Sequence, residues 1–399
     1  MATPVFCCGF ECGISGPHWL VTNGTFDTTI IRNGLRSGRI NASASTAQLS
    51  FQDALGFGGT LIVARAYIRF TTFPTIDFPI FTASTGTSSC GIVFKSSDGK
   101  LYPGRDNAGT LTVGAAGITP ILNRWYLIDI RVNVVANPWL VDCAIDGISF
   151  AQLSLAIAAT NTSDVRFGRL YATGGAVTVD MYCDDILVSQ TTGDYPLGGG
   201  IVNHFLPTSD GTHNVAGAND FERSATGTDI TNLTTTAFQL IDDVPMKTGV
   251  PTEYINLIAP PNATDYVEVI FGAAPGINTP VVAPRSINAV IAFACSATGT
   301  NNLRVALNDN GTTNDIYNAN SAISTSCLYT FKHYALAPTG GAWTVASGAG
   351  NFNNIRMRCY TNDPAPDPFL ASIMIEAEFA EPKQKVVQIN QSVNRSNTY

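Results

Sequence analysis

Charge is what this chain has least of. Of its 399 residues only 13% are Asp, Glu, Lys or Arg, where soluble domains average about 25%. Lysine is scarce, the net charge is −8, and no run of Lys or Arg could follow a phosphate backbone, so a nucleic-acid partner is not expected. Long apolar runs are missing too. The longest, such as Ala289–Cys295, have strand length and fall far short of the roughly 20 residues a spanning helix needs, so no membrane partner is expected. Met1-Ala2-Thr3-Pro4-Val5 lacks the basic stretch and apolar core of a secretory signal, so none is expected. No apolar period of 3.6 residues is sustained over three turns, which removes helical bundles from the fold classes to consider.

Catalytic spacings are absent as well. There is no G-x-S-x-G elbow, no H-E-x-x-H, no Walker or dinucleotide glycine pattern, and no C-x-x-C pair. His18, His204, His213 and His333 stand apart, and His204 and His213 read as structural residues of a loop region. Of the nine cysteines, Cys7, Cys8 and Cys12 cluster at the start. The main reading is free thiols acting as small buried hydrophobes. The sharper one is a disulfide or metal clip, but a tetrahedral zinc needs four ligands and only His18 lies nearby. No catalytic residue, cofactor or metal ligand is assigned.

What is present is the material of strands and turns. Apolar residues make up 45% of the chain, and Thr, Asn, Ser and Gly fill the polar positions. Leu61–Phe70, Trp125–Val134, Trp139–Ile145, Val165–Tyr171 and Val177–Val188 alternate as strands, and Asp98-Gly99 and Asp146-Gly147 mark hairpins. Glu253–Ile258, Tyr266–Phe271, Ser286–Cys295, Leu303–Leu307, Leu328–Leu336, Asn354–Tyr360 and Ala371–Phe379 continue the pattern, with a turn at Asn310-Gly311. The glycine run Gly198-Gly199-Gly200 reads as a linker. The expected fold is all-β, with two antiparallel β-sandwich or jelly-roll domains in tandem, 1–195 and 196–382, and a polar docking tail, 383–399.

Family resemblance follows from particular phrases. Gly9-Phe10-Glu11, Arg36-Ser37-Gly38-Arg39, the Asp98-Gly99 hairpin, Trp125-Tyr126, the Asp146-Gly147 hairpin and Tyr182-Cys183-Asp184-Asp185-Ile186-Leu187-Val188 resemble the laminin-G-like, concanavalin-type jelly roll. Phe205-Leu206-Pro207-Thr208 with Asp210-Gly211, Tyr254-Ile255-Asn256-Leu257 and Ala337–Thr344 resemble a companion sandwich found in minor structural proteins of tailed bacteriophages. The resemblance implies a non-enzymatic virion protein, a decoration, spike, collar or tail-fibre subunit on the particle surface. Its implied partners are other virion proteins and copies of itself, with closure as a homotrimer. A charge-poor surface suits such packing.

Jelly rolls of this type also host glycosidases and carbohydrate-binding adhesins, so acids and aromatics need weighing. Glu376-Ala377-Glu378-Phe379-Ala380-Glu381 is nearest to a laminarinase-like E-x-D-x-(x)-E, whose carboxylates stand about 5 Å apart. Alternation puts Glu376 and Glu378 on one face and Ile373, Ile375, Ala377 and Phe379 on the other, which reads as an exposed strand over a core. Asp184 and Asp185 should face opposite ways and form no acid pair. Trp139, after Asn137-Pro138, is expected in a loop, where its ring could stack on a host-surface glycan.

Overall fold

In the computed structural model the described residues are 4–15, 19–53, 59–86, 88–158, 160–169, 175–213, 221–223, 228–229, 237–242, 246, 251, 254–257, 266–273, 282–295, 299–361 and 368–381. The tail 383–399 and His18 lie outside them. In chain order the first half forms β1 (Pro4–Cys8), β2 (Trp19–Thr22), β3 (Thr25–Asp27), β4 (Ser37–Ser45), β5 (Leu49–Asp53), β6 (Leu61–Thr72), β7 (Phe78–Ser84), β8 (Ser88–Lys95), β9 (Lys100–Asn107), β10 (Thr110–Val113), β11 (Trp125–Asn133), β12 (Trp139–Ile145), β13 (Ile148–Ser149), β14 (Leu153–Leu155), β15 (Asp164–Arg169) and β16 (Val177–Ser189). The second half forms β17 (Gly200–Asp210), β18 (Phe221–Arg223), β19 (Thr228–Asp229), β20 (Ile255–Leu257), β21 (Val267–Ala273), β22 (Ser286–Cys295), β23 (Gly299–Asp309), β24 (Thr312–Ile323), β25 (Leu328–Tyr334), β26 (Arg356–Thr361) and β27 (Pro368–Ala380). The only helical pieces among the described residues are short 3₁₀ turns.

The first half is a sandwich of two antiparallel sheets. A nine-stranded inner sheet runs β13-β12-β11-β6-β16-β4-β3, with β1 also on β16 and β14 on β12. A seven-stranded outer sheet runs β10-β9-β8-β7-β15-β5-β2. Alternation explains the core between them. Ile62, Ala64, Ala66, Ile68 and Phe70 of β6 meet Cys90, Ile92 and Phe94 of β8 and Val165 and Phe167 of β15. Asp146-Gly147 and Asn310-Gly311 turn with φ of 50° and 77°, and 48° and 88°, the left-handed pairs that a two-residue hairpin needs.

The second half is one eleven-stranded antiparallel sheet system in which β27 pairs with β17, β20 and β22. Its core holds Ile287, Ala289, Ile291 and Phe293 of β22 with Ile373, Ile375, Ala377 and Phe379 of β27. Val290, Ala292, Ala294, Ala371 and Met374 point the other way and gather with Cys12 from the start of the chain. The outward side of β22 and β27 is thus covered by the first half.

Candidate functional site

The acids that the sequence offers for chemistry converge on this boundary. Glu376 and Glu378 do alternate with the core positions of β27, but their face does not meet water. Both are fully buried under β1 and the inner sheet. Glu378 receives Arg65 Nη2 on Oε1 at 2.7 Å and Arg285 Nε on Oε2 at 2.7 Å. Arg65, itself fully buried, donates from Nη1 to Gly198 O at 2.8 Å. A Cβ on Gly200 would overlap this guanidinium and the Glu378 carboxylate. The glycine run is therefore a close-approach point at the start of β17, not a loose linker.

Asp184 and Asp185 also depart from strict alternation. The register of β16 on β6 shifts between Asp184 and Leu187, and Asp185 takes φ of 50°. Through this bulge the core-facing positions pass from Val179, Met181 and Cys183 to Ile186 and Val188. Both carboxylates consequently reach Arg32. Asp184 Oδ2 accepts its backbone N–H at 2.9 Å, and Asp185 holds its guanidinium and accepts Val202 N–H at 2.5 Å. Arg32 also binds Glu381 and lies 3.4 Å above the Tyr67 ring centroid. Burial, with Asp185 nearby, pushes the Asp184 carboxyl well above the usual range.

The segment Pro4–Glu11 straps the halves together. Gly9 and Glu11 each donate a backbone N–H to Glu376 Oε1 at 3.3 Å, and the Asn288 amide donates to Cys7 O. Glu11 accepts Leu35 N–H at 3.0 Å, and Gly34, at φ of 72°, leaves the room its carboxylate occupies. His204 is in β17 and not in a loop. It stands in register with Glu376, with Nδ1 3.4 Å from Glu11 Oε2. Burial holds His204 down at about 4 and pushes Glu11 well above the usual carboxylate range. These carboxyls are closed off between two sheet faces, so they build the joint and present nothing to a substrate.

One further expectation changes and one is met: Trp139 leaves the loop, and the described cysteines are the buried free thiols of the main reading. Trp139 is 3% exposed in the sandwich core, and its Nε1–H donates to Ala158 O at 2.7 Å, so its ring has no free face for a sugar. Cys7, Cys8, Cys90, Cys143, Cys183 and Cys359 are free thiols, all buried. Among the described residues no group of three or more His, Cys, Asp or Glu side chains is placed to hold a metal ion.

Besides the cluster in which buried Glu268 binds Arg356, Arg358 and Asn308, a concentration of polar groups lies on the far side of the outer sheet. Phe51, Ala83, Cys90, Val165 and Phe167 point into the core, so Gln52, Thr82, Ser84, Ser89, Asp164 and Arg166 point away from it. Register aligns them in two rows. Gln52, Arg166, Thr82 and Gly91 form one; Asp164, Ser84, Ser89 and Asp106 form the next. Asp164 accepts Gln52 Nε2 at 3.2 Å and Ser163 Oγ at 2.8 Å, and it pairs with Arg166 at 2.8 Å. Burial raises the Asp164 pKa. Thr82 and Ser84 are fully buried, yet their hydroxyls make no hydrogen bond among the described residues. Sequence reasoning passed over this strip, since isolated hydroxyls carry no spacing signal. The one available sign was Asp164-Val165-Arg166-Phe167, where charges alternate with core residues inside a strand.

No family model and no curated protein matches the chain. Among solved structures, the cellulose induced protein Cip1 is similar at a TM-score of 0.38 and 13% identity, over 47% of this chain and 97% of that one. A carbohydrate binding module, CBM66 from Bacillus subtilis, is similar at 0.31 and 11% identity, over 44% of this chain and 97% of its own. A sialidase is similar at 0.34 and 8% identity, over 48% of this chain and 19% of its own. At this level of similarity nothing of their ligands or activities is transferred here.

Proposed function

We propose that the protein is a non-enzymatic carbohydrate-binding protein whose recognition face is the far side of the outer sheet. One observation carries this reading: the hydroxyls of Thr82 and Ser84, which make no hydrogen bond among the described residues, lie in the same strip as Gln52, Asp164 and Arg166, and a sugar reaches them by displacing what buries them beside the partly exposed Gln52. A buried polar group without a partner costs about 1–3 kcal/mol. A polyol supplies both donors and acceptors to such groups, and planar Arg, Asp and Gln side chains orient it. The joint with the second half fixes the sandwich that carries this face. A glycan array with diverse bacterial polysaccharides is the test. The parent protein is expected to bind at least one, and a Thr82→Val, Ser84→Ala double variant to bind about tenfold more weakly or worse, at about 1 kcal/mol per lost hydrogen bond. Silence of the parent across the array would remove the reading.

A second reading, a subunit on the surface of a phage particle, is favoured by exposed aliphatic side chains. Ile121, 62% exposed, lies beside Leu122 before β11, and Ile148, 63% exposed, opens β13, the two segments being joined by the Arg124–Asp146 ion pair. On this reading copies of the chain pack through those segments, closing as a trimer. Light scattering after size exclusion decides it: a monomer at all concentrations that ignores purified particles speaks against assembly.

A further inference from the structure

More acidic than basic side chains meet at the boundary between the halves. The acids are Glu11, Asp129 of β11, Asp184 and Asp185 of β16, Glu376 and Glu378 of β27, and Glu381 just beyond it. Facing them are Arg32, Arg36, Arg65 and Arg285, Tyr67 of β6, the thiols of Cys7, Cys8 and Cys12, His204 of β17 and His333 of β25. The guanidinium contacts are uneven. Glu378 takes Arg65 and Arg285, while Asp185 and Glu381 take Arg32. Glu11, Asp184 and Glu376 accept backbone N–H groups of Leu35, Arg32 and Gly9, and Asp129 those of Leu197 and Gly198. Full ionisation would place several negative charges around His204 in a fully buried space.

We propose that this joint is a proton-held latch: a proton kept among Glu11, His204 and Asp184 clamps the strap Pro4–Glu11, whose amides bond Glu376, between the halves, and its loss on the alkaline side frees the strap and lets the halves part. The connection left would be residues 190–199, between β16 and β17. The sign follows from the direction of the shifts. Burial raises Glu11 and Asp184, so their contribution to closure is full below the ordinary carboxylate pKa, declines as pH rises above it, and is gone once pH has passed the folded pKa. His204, lowered by burial to about 4, loses its contribution as pH falls from its ordinary value toward that point, which sets the acid limit. Closure is tightest between the two.

Thiols report the opening. Cys7 and Cys8 both ride on the strap, Cys7 facing the joint and Cys8 packing into the first core with its thiol 3.7 Å from Glu376 Oε1, whereas Cys90, Cys143 and Cys359 are buried in the two cores away from the strap. Pulse alkylation of the full chain, read by mass spectrometry and divided by the rate for the unfolded chain at the same pH, is the experiment. Between about pH 6 and about pH 9 the corrected reactivity of Cys7 and Cys8 is expected to climb, by up to about tenfold per pH unit for one proton while the pH lies below the folded pKa, and to level off above it. Cys90, Cys143 and Cys359 should stay protected. Glu11→Gln, which cannot ionise, should flatten the climb, and Asp184→Asn offers the same check should that variant fail to fold. Protection of Cys7 and Cys8 that is unchanged with pH, or all five thiols becoming reactive together, would overturn the latch.

Discussion

The two outward faces of the first sandwich are built from the same kinds of residues and do opposite things. On the inner sheet, Arg65, Asp129, Asp184 and Asp185 are buried against the second half and matched by Glu378, Arg32 and the backbone amides of Leu197 and Val202. On the outer sheet, Asp164 and Arg166 are paired with each other, but the hydroxyls of Thr82 and Ser84 make no hydrogen bond among the described residues. The joint also holds atoms with no hydrogen bond among the described residues, His204 Nε2 and Arg65 Nε, so what sets it apart is its ion pairs across the two halves, Arg65 with Glu378 and Arg32 with Glu381.

Substitutions can break or sharpen this contrast. The largest effect is expected from Glu378→Ala, which leaves buried Arg65 without its carboxylate. Urea unfolding should show a loss of about 3–5 kcal/mol, the usual cost of orphaning one member of a buried pair, with little change in any glycan binding. Trp139→Phe should cost about 1 kcal/mol by giving up the bond to Ala158 O. It should leave glycan binding untouched, whereas a loss of binding would return Trp139 to the recognition face. Smallest in stability is the Thr82→Val, Ser84→Ala pair. Removing hydroxyls that make no hydrogen bond among the described residues should leave the unfolding free energy unchanged or raise it by about 1 kcal/mol, so that any weaker binding cannot be blamed on misfolding. A marked loss of stability there would make the strip structural and erase the contrast.

Much of the fold was legible because its signals are local. Ser286–Cys295 was bounded as β22 is, and the turns at Asp146-Gly147 and Asn310-Gly311 fall where that chemistry demands left-handed backbone. β24 escaped because its Thr, Asn and Ala show no apolar alternation. The site was less legible, for reasons of distance. The phase of Glu376 and Glu378 was readable, but not that a strap some 365 residues earlier would cover them. Alternation separated Asp184 from Asp185, and only the bulge at Asp185 brings them to one residue, Asp184 on the Arg32 backbone N–H and Asp185 on its guanidinium. Trp139 looked loop-borne after Pro138, yet it opens a strand whose first residue belongs to the core.

Hydrogen–deuterium exchange of the full chain, with and without a polysaccharide found on the array, puts the central claim to the most direct test. Added slowing of exchange confined to β7, β8 and β15 is the outcome expected of a recognition face on the outer sheet. Slowing that falls instead on β16, β17 and β27, around Asp184, His204 and Glu376, would mean that the ligand enters the joint and that its carboxyls were never merely holding the two halves together.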